Sequence, residues 1–108
     1  MGYVYLLLQI DKDGLETHKI GVTRRKVETR VKELQTGNPN PISILRTYQT
    51  ENYFKVEGML HRKYSMLTTE AKNEWRELPP EAIFSFINDC EEVDNTIKFL
   101  QENNHFYD

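Results

Sequence analysis

The spacing of hydrophobic and polar positions changes several times along the chain, and each change marks an element. From Gly2 to Ile10 the run GYVYLLLQI alternates with a period of two. Val4, Leu6, Leu8 and Ile10 fall on one face, and Tyr3, Tyr5, Leu7 and Gln9 on the other, which predicts a β-strand. Asp11 to Gly14 (DKDG) is a turn signal, and a second strand follows over Thr17 to Val22, so the pair reads as a hairpin. An odd-length loop pairs odd-numbered residues with odd-numbered ones. Tyr3 and Tyr5 are then expected on the same face as Lys19 and Gly21. A glycine beside two phenols and an ammonium lets a ligand backbone come close, so this face reads as a site more than as a core.

The period then lengthens to that of a helix over Lys26 to Gln35, where Val27, Val31 and Leu34 form one stripe. Gly37 is placed to cap its end. Arg30 lies beside the stripe, where its stem could cover apolar surface. The loop TGNPNP (Thr36 to Pro41) excludes helix and central strand through its prolines. Ile42 to Thr50 alternates again as a third strand, with Ile42, Ile44 and Tyr48 expected on one face. Asn52 to Ser65 reads as a helix that buries Tyr53, Val56, Leu60 and Tyr64. Glu57 stands at the edge of that stripe and His61 one turn beyond it.

Leu67 to Lys72 is a polar connection, and Asn73 to Leu78 (NEWREL) a short extended segment. Its Trp75 reads as a core residue before it reads as a stacking platform for a base. Pro79 and Pro80 open a last helix to Glu102. Ile83, Ile87, Cys90, Ile97 and Leu100 are expected inward with Phe84 and Phe86 alongside, and acids on the opposite face. Asn103 to Asp108 is expected to fray. The fold class is α+β: a small three-stranded, mainly antiparallel sheet flanked by helices, plus a C-terminal amphipathic helix. Residues 1–108 form a single domain, with 2–78 as the core unit and 80–103 as a helix packed on it.

Charge changes this picture more than composition does. The net charge is −3, which by itself argues against a polyanionic partner, but its distribution is uneven. Residues 19–36 carry six Lys/Arg against two acids, whereas residues 79–108 carry one Lys against seven acids. A basic middle beside an acidic tail is compatible with nucleic-acid contact. The acidic helix could serve as plain core, as a cover over the basic region, or as a partner surface. Cys90 is the only cysteine, so no internal disulfide can form. It reads as small core filler rather than a nucleophile. No run is long and apolar enough for a membrane span and no signal peptide is evident, so a cytoplasmic location is expected.

The order aromatic strand, turn, K-I-G, helix with arginine, strand, helix with glutamate resembles the GIY-YIG endonuclease domain over about residues 2–78. Tyr3-Val4-Tyr5 stands where that family has G-I-Y, and Lys19-Ile20-Gly21 where it has Y-I-G. Arg30 in ETRVKEL is similar to the family's helix arginine, and Glu57 in VEGMLHRKY to its metal-binding glutamate. Tyr3 replaces the usual glycine, Lys19 the usual tyrosine, and Leu34 a histidine found in some members. The resemblance implies a metal-dependent DNA endonuclease.

The residue types support such chemistry independently. Phosphodiester hydrolysis needs a base near the attacking water, a cation on the phosphate and help for the leaving oxygen. Glu57 could hold a single Mg²⁺ or Mn²⁺ with waters completing its shell. Tyr5 could be the base if neighbouring cations acidified it, or Lys19 could be. Arg30 could bind a phosphate oxygen through its fork, and His61 could act on the leaving group. Tyr3, Thr23, Arg24, Arg25 and Asn73 are candidate substrate contacts. DNA is the expected partner, with a homodimer or a partner protein supplying specificity. The alternative is a non-catalytic nucleic-acid-binding or protein-interaction module.

Overall fold

The computed structural model describes residues 1–66 and 74–103. Three strands, β1 (Gly2–Ile10), β2 (Glu16–Thr23) and β3 (Ile42–Thr50), form one antiparallel sheet in the order β2-β1-β3. Three helices, α1 (Val27–Gln35), α2 (Tyr53–Ser65) and α3 (Pro80–Asn103), complete the described residues. The fold is thus α+β, and the C-terminal helix is present.

The central strand is apolar on both faces because both are covered. Val4 and Leu6 enter a core with Ile20, Val56, Leu60, Tyr64, Phe86 and Cys90, built by α2 and α3. Tyr5 and Leu7 enter a second, smaller core with Val27, against which Val31, Leu34 and Trp75 pack. All four β1 residues are at most 1% exposed, which is why the simple in–out alternation of a one-sided strand gives way to a continuous run here. The hairpin turn closes on Asp11, whose Oδ1 accepts the N–H groups of Asp13 and Leu15 at 2.8 and 2.9 Å. Gly14 takes the positive φ of 84° that the turn requires. The register pairs Tyr3 with Thr23, Tyr5 with Gly21 and Leu7 with Lys19, odd with odd.

Two expectations are corrected. Ile42, Ile44 and Tyr48 do not share a face. The β1–β3 register shifts between Leu6, opposite Arg46, and Leu7, opposite Ile44, leaving Leu45 as the extra residue of a bulge. The shift exchanges faces, so Tyr48 packs on the larger core and Ile42 on the smaller.

The second correction concerns α3. Phe84 and Leu100 are 80% and 58% exposed, while Asp89 and Asp94, expected among the outward acids, are 6% and 1% exposed. Asp89 accepts hydrogen bonds from the Tyr64 hydroxyl (2.5 Å), Ser85 Oγ (2.8 Å) and Lys63 Nζ (3.0 Å). Asp94 accepts from the Tyr48 hydroxyl (2.8 Å) and Asn52 Nδ2 (3.0 Å). Burial pushes both carboxyls up, but these donors outweigh it and hold both below the ordinary aspartate value. The two carboxylates bind α3 to α2 and β3, and so decide which face of the helix turns inward. Cys90 lies between them, fully buried, its thiol pushed up to about 12 first by burial and then by the flanking acids.

The segment after the second helix returns to the sheet. His18 and Arg76 exchange backbone hydrogen bonds of 2.7 and 2.9 Å, an antiparallel bridge on the outer edge of β2. Leu67 to Asn73 and the end beyond Asn103 lie outside the described residues.

Candidate active site

The β2 edge is where the two layers meet. From one side comes α1 with Arg30. From the other comes α2 with Glu57 and His61, and the returning segment brings Glu74. Together with Tyr5, Lys19 and Gly21 they line one open cleft of about 220 Å³. Tyr5, Lys19, Arg30, Glu57 and His61, scattered over more than fifty residues of sequence, therefore face the same space.

Close packing fixes the floor of the cleft. The Tyr5 ring lies across Gly21, where an added Cβ would stand 2.5 Å from Tyr5 Cζ and closer still to its hydroxyl oxygen. No other residue type leaves room for the phenol at this register position. Tyr5 and Arg30 line the same cleft, and the Tyr5 side chain first, then Glu33 at 3.2 Å, raises the arginine above its usual range.

Lys19 is nearly buried, with its Nζ 2.9 Å from Glu74 Oε2. That bond lowers the Glu74 carboxyl below the ordinary glutamate value. Glu57 is different. Burial raises its carboxyl above the ordinary value, and the Lys19 charge offsets this only partly. No described side chain donates to it. The titratable side chain within 4 Å of it is His61, with Nε2 3.9 Å from Glu57 Oε2. Burial first, then the charges of Arg76 and Lys19, lower His61 below the usual histidine value. The imidazole is consequently neutral at neutral pH, and its contact with Glu57 is not an ion pair.

The proposed substrate contacts are not gathered in the same way. Tyr3 packs against the smaller core. The Thr23 hydroxyl accepts the Arg25 backbone N–H at 3.1 Å and so shapes the turn into α1. Arg25 pairs with Glu33 at 2.6 Å on the surface, and Arg24 is exposed. None of these four lines the cleft. Asn73 lies outside the described residues. Two cleft-side residues were missed in the sequence, Glu74 and Arg76, the latter against the His61 ring. Their signal was the alternation of an extended segment: Glu74 and Arg76 share one face while Trp75 points into the smaller core.

Among the described residues no three His, Cys, Asp or Glu side chains form a metal-binding group. A lone, under-bonded carboxylate does not suit zinc, which takes its shell from several protein ligands. It does suit a hard ion that keeps most of its waters, as Mg²⁺ does.

Fold and site define a small α+β domain with a polar cleft, rich in both cations and carboxylates, at one sheet edge. The family model for the T5orf172 domain matches residues 2–100, and the chain belongs to that family. This corrects the assignment to the GIY-YIG family, whose short motifs this chain already departed from at Tyr3, Lys19 and Leu34. The T5orf172 family is one of nuclease-like, DNA-binding domains. No curated protein and no solved structure matches the chain. No helix among the described residues is long and apolar enough to cross a membrane.

Proposed function

We propose that the protein is a metal-dependent endonuclease acting on DNA. The observation that carries the reading is the convergence of Tyr5, Lys19, Arg30, Glu57 and His61 on one cleft. Arg30 binds a phosphate oxygen through its fork and offsets the charge that develops on it. Tyr5, in the same cleft as that guanidinium, takes the proton of the attacking water. Lys19, already a donor to Glu74, is left to bind the phosphate. Glu57 holds a single Mg²⁺ or Mn²⁺, which when bound supplies a Lewis acid for the leaving oxygen. DNA enters by its backbone, and sequence preference comes from a second copy or a partner protein.

The test is relaxation of supercoiled plasmid with and without divalent metal. Wild type should nick or linearise DNA only with metal, and Glu57→Gln and Arg30→Ala should each lose about 10²–10³-fold in rate while staying folded. Binding without cutting under all metal conditions would instead favour a non-catalytic nucleic-acid module. In that case affinity should fall steeply with salt and be indifferent to Glu57.

A further inference from the structure

We propose that Arg76 is a positioning residue that holds His61 in the tautomer protonated at Nε2, so that the ring offers a donor there and no free base at Nδ1. The argument begins with the chain path. Arg76 is fixed at the β2 edge by its two backbone bonds to His18, and two residues earlier Glu74 is tied to Lys19. From this anchored position the Arg76 Nη2 meets Nδ1 of His61. A guanidinium has donors only. The nitrogen it meets must therefore carry a lone pair, and the ring proton belongs on Nε2. With Nδ1 already an acceptor, Nε2 is the donor. It is also the ring nitrogen nearest Glu57, at 3.9 Å.

The consequence is a division of labour. While Arg76 is in place, Nδ1 is blocked and Nε2 is already protonated, so His61 cannot take the proton from water. It can lend a hydrogen bond, keeping its proton, to an oxygen at the Glu57 end of the cleft. The proton-accepting role is left to Tyr5. This catalytic consequence rests on the endonuclease reading, whereas the tautomer assignment does not.

The experiment is a long-range ¹H–¹⁵N correlation spectrum of ¹⁵N-histidine-labelled protein at pH 8, together with plasmid cleavage kinetics. Wild type and Arg76→Lys, which keeps a charged donor, should show His61 as the Nε2–H form. Arg76→Met should populate the Nδ1–H form. In cleavage, Arg76→Met should lower kcat roughly tenfold, as for a group that orients another, with KM little changed, and Arg76→Lys should recover most of the loss. An Nδ1–H form in wild type, or an unchanged spectrum in Arg76→Met, overturns the proposal. Absence of cleavage in every variant would instead strike the endonuclease reading, and the spectra would still decide the tautomer.

Discussion

Glu57 on α2 and Asp94 on α3 are carboxylates on neighbouring helices, and they do opposite things. Asp94 is 1% exposed and receives hydrogen bonds from Tyr48 and Asn52, with Lys98 at 3.6 Å. Its donors outweigh its burial and its carboxyl is lowered. Glu57 is half-buried, with no described donor, and its carboxyl is raised. A desolvated charge with its lone pairs filled holds a fold together. One with its lone pairs open holds a position for a ligand, at some expense to stability. Burial alone would have ranked the two the wrong way round, since the more buried carboxylate is the structural one.

The sharpest way to break this comparison is to neutralise Glu57. Glu57→Gln should abolish most metal-dependent cleavage while Tm stays level or rises, as measured by thermal unfolding. A fall in Tm would mean Glu57 is structural after all. The reverse pattern is expected of Asp94→Ala. Leaving the Tyr48 and Asn52 donors unpaired in the core should lower stability by about 3 kcal/mol. This corresponds to a Tm fall of roughly 12 °C or more, with the Tyr5–Glu57 cleft intact in whatever protein remains folded.

Stability against pH sharpens the contrast further, because the groups have opposite signs. The carboxyls of Asp89 and Asp94 are lowered, so their stabilisation is present above pH 3.8 and is lost as pH falls below that value. Burial also lowers His18, first among its causes, so stability should begin to decline as pH falls below 6.5. Glu57 is raised. Its ionisation destabilises the fold at neutral pH, and this is relieved as pH drops toward 4.5. The Tm difference between Glu57→Gln and wild type should therefore close in mild acid, as read from melts between pH 7 and 4. The smallest effect belongs to the exposed partners. Lys98→Met and Lys63→Met remove ammonium groups that are 57% and 46% exposed, and each should change stability by under about 1 kcal/mol in chemical denaturation.

The elements were legible because each is written in its own period, and strand boundaries came within a residue or so for the same reason. The hairpin register follows from loop parity, which is enough to place Tyr5 and Lys19 on one face. What the period could not carry was a change of phase. The bulge at Leu45 adds one residue without changing residue type, and it turned Ile42 and Tyr48 to opposite faces. Polar groups hidden in a helix were equally silent. Asp89 and Asp94 look like solvated acids until Tyr64 and Tyr48, distant in sequence, supply their donors. The site was half legible: residues on regular elements could be aimed by periodicity, whereas Glu74 and Arg76 depended on a long connection folding back to the β2 edge.

The most direct test of the central claim is the relaxation of supercoiled plasmid by wild type and by Glu57→Gln, side by side with Mg²⁺ or Mn²⁺ and with chelator. The account predicts cutting by wild type only when metal is present, and its near loss in a variant that melts no earlier. Equal cutting by the two proteins, or cutting by wild type in chelator, would contradict it.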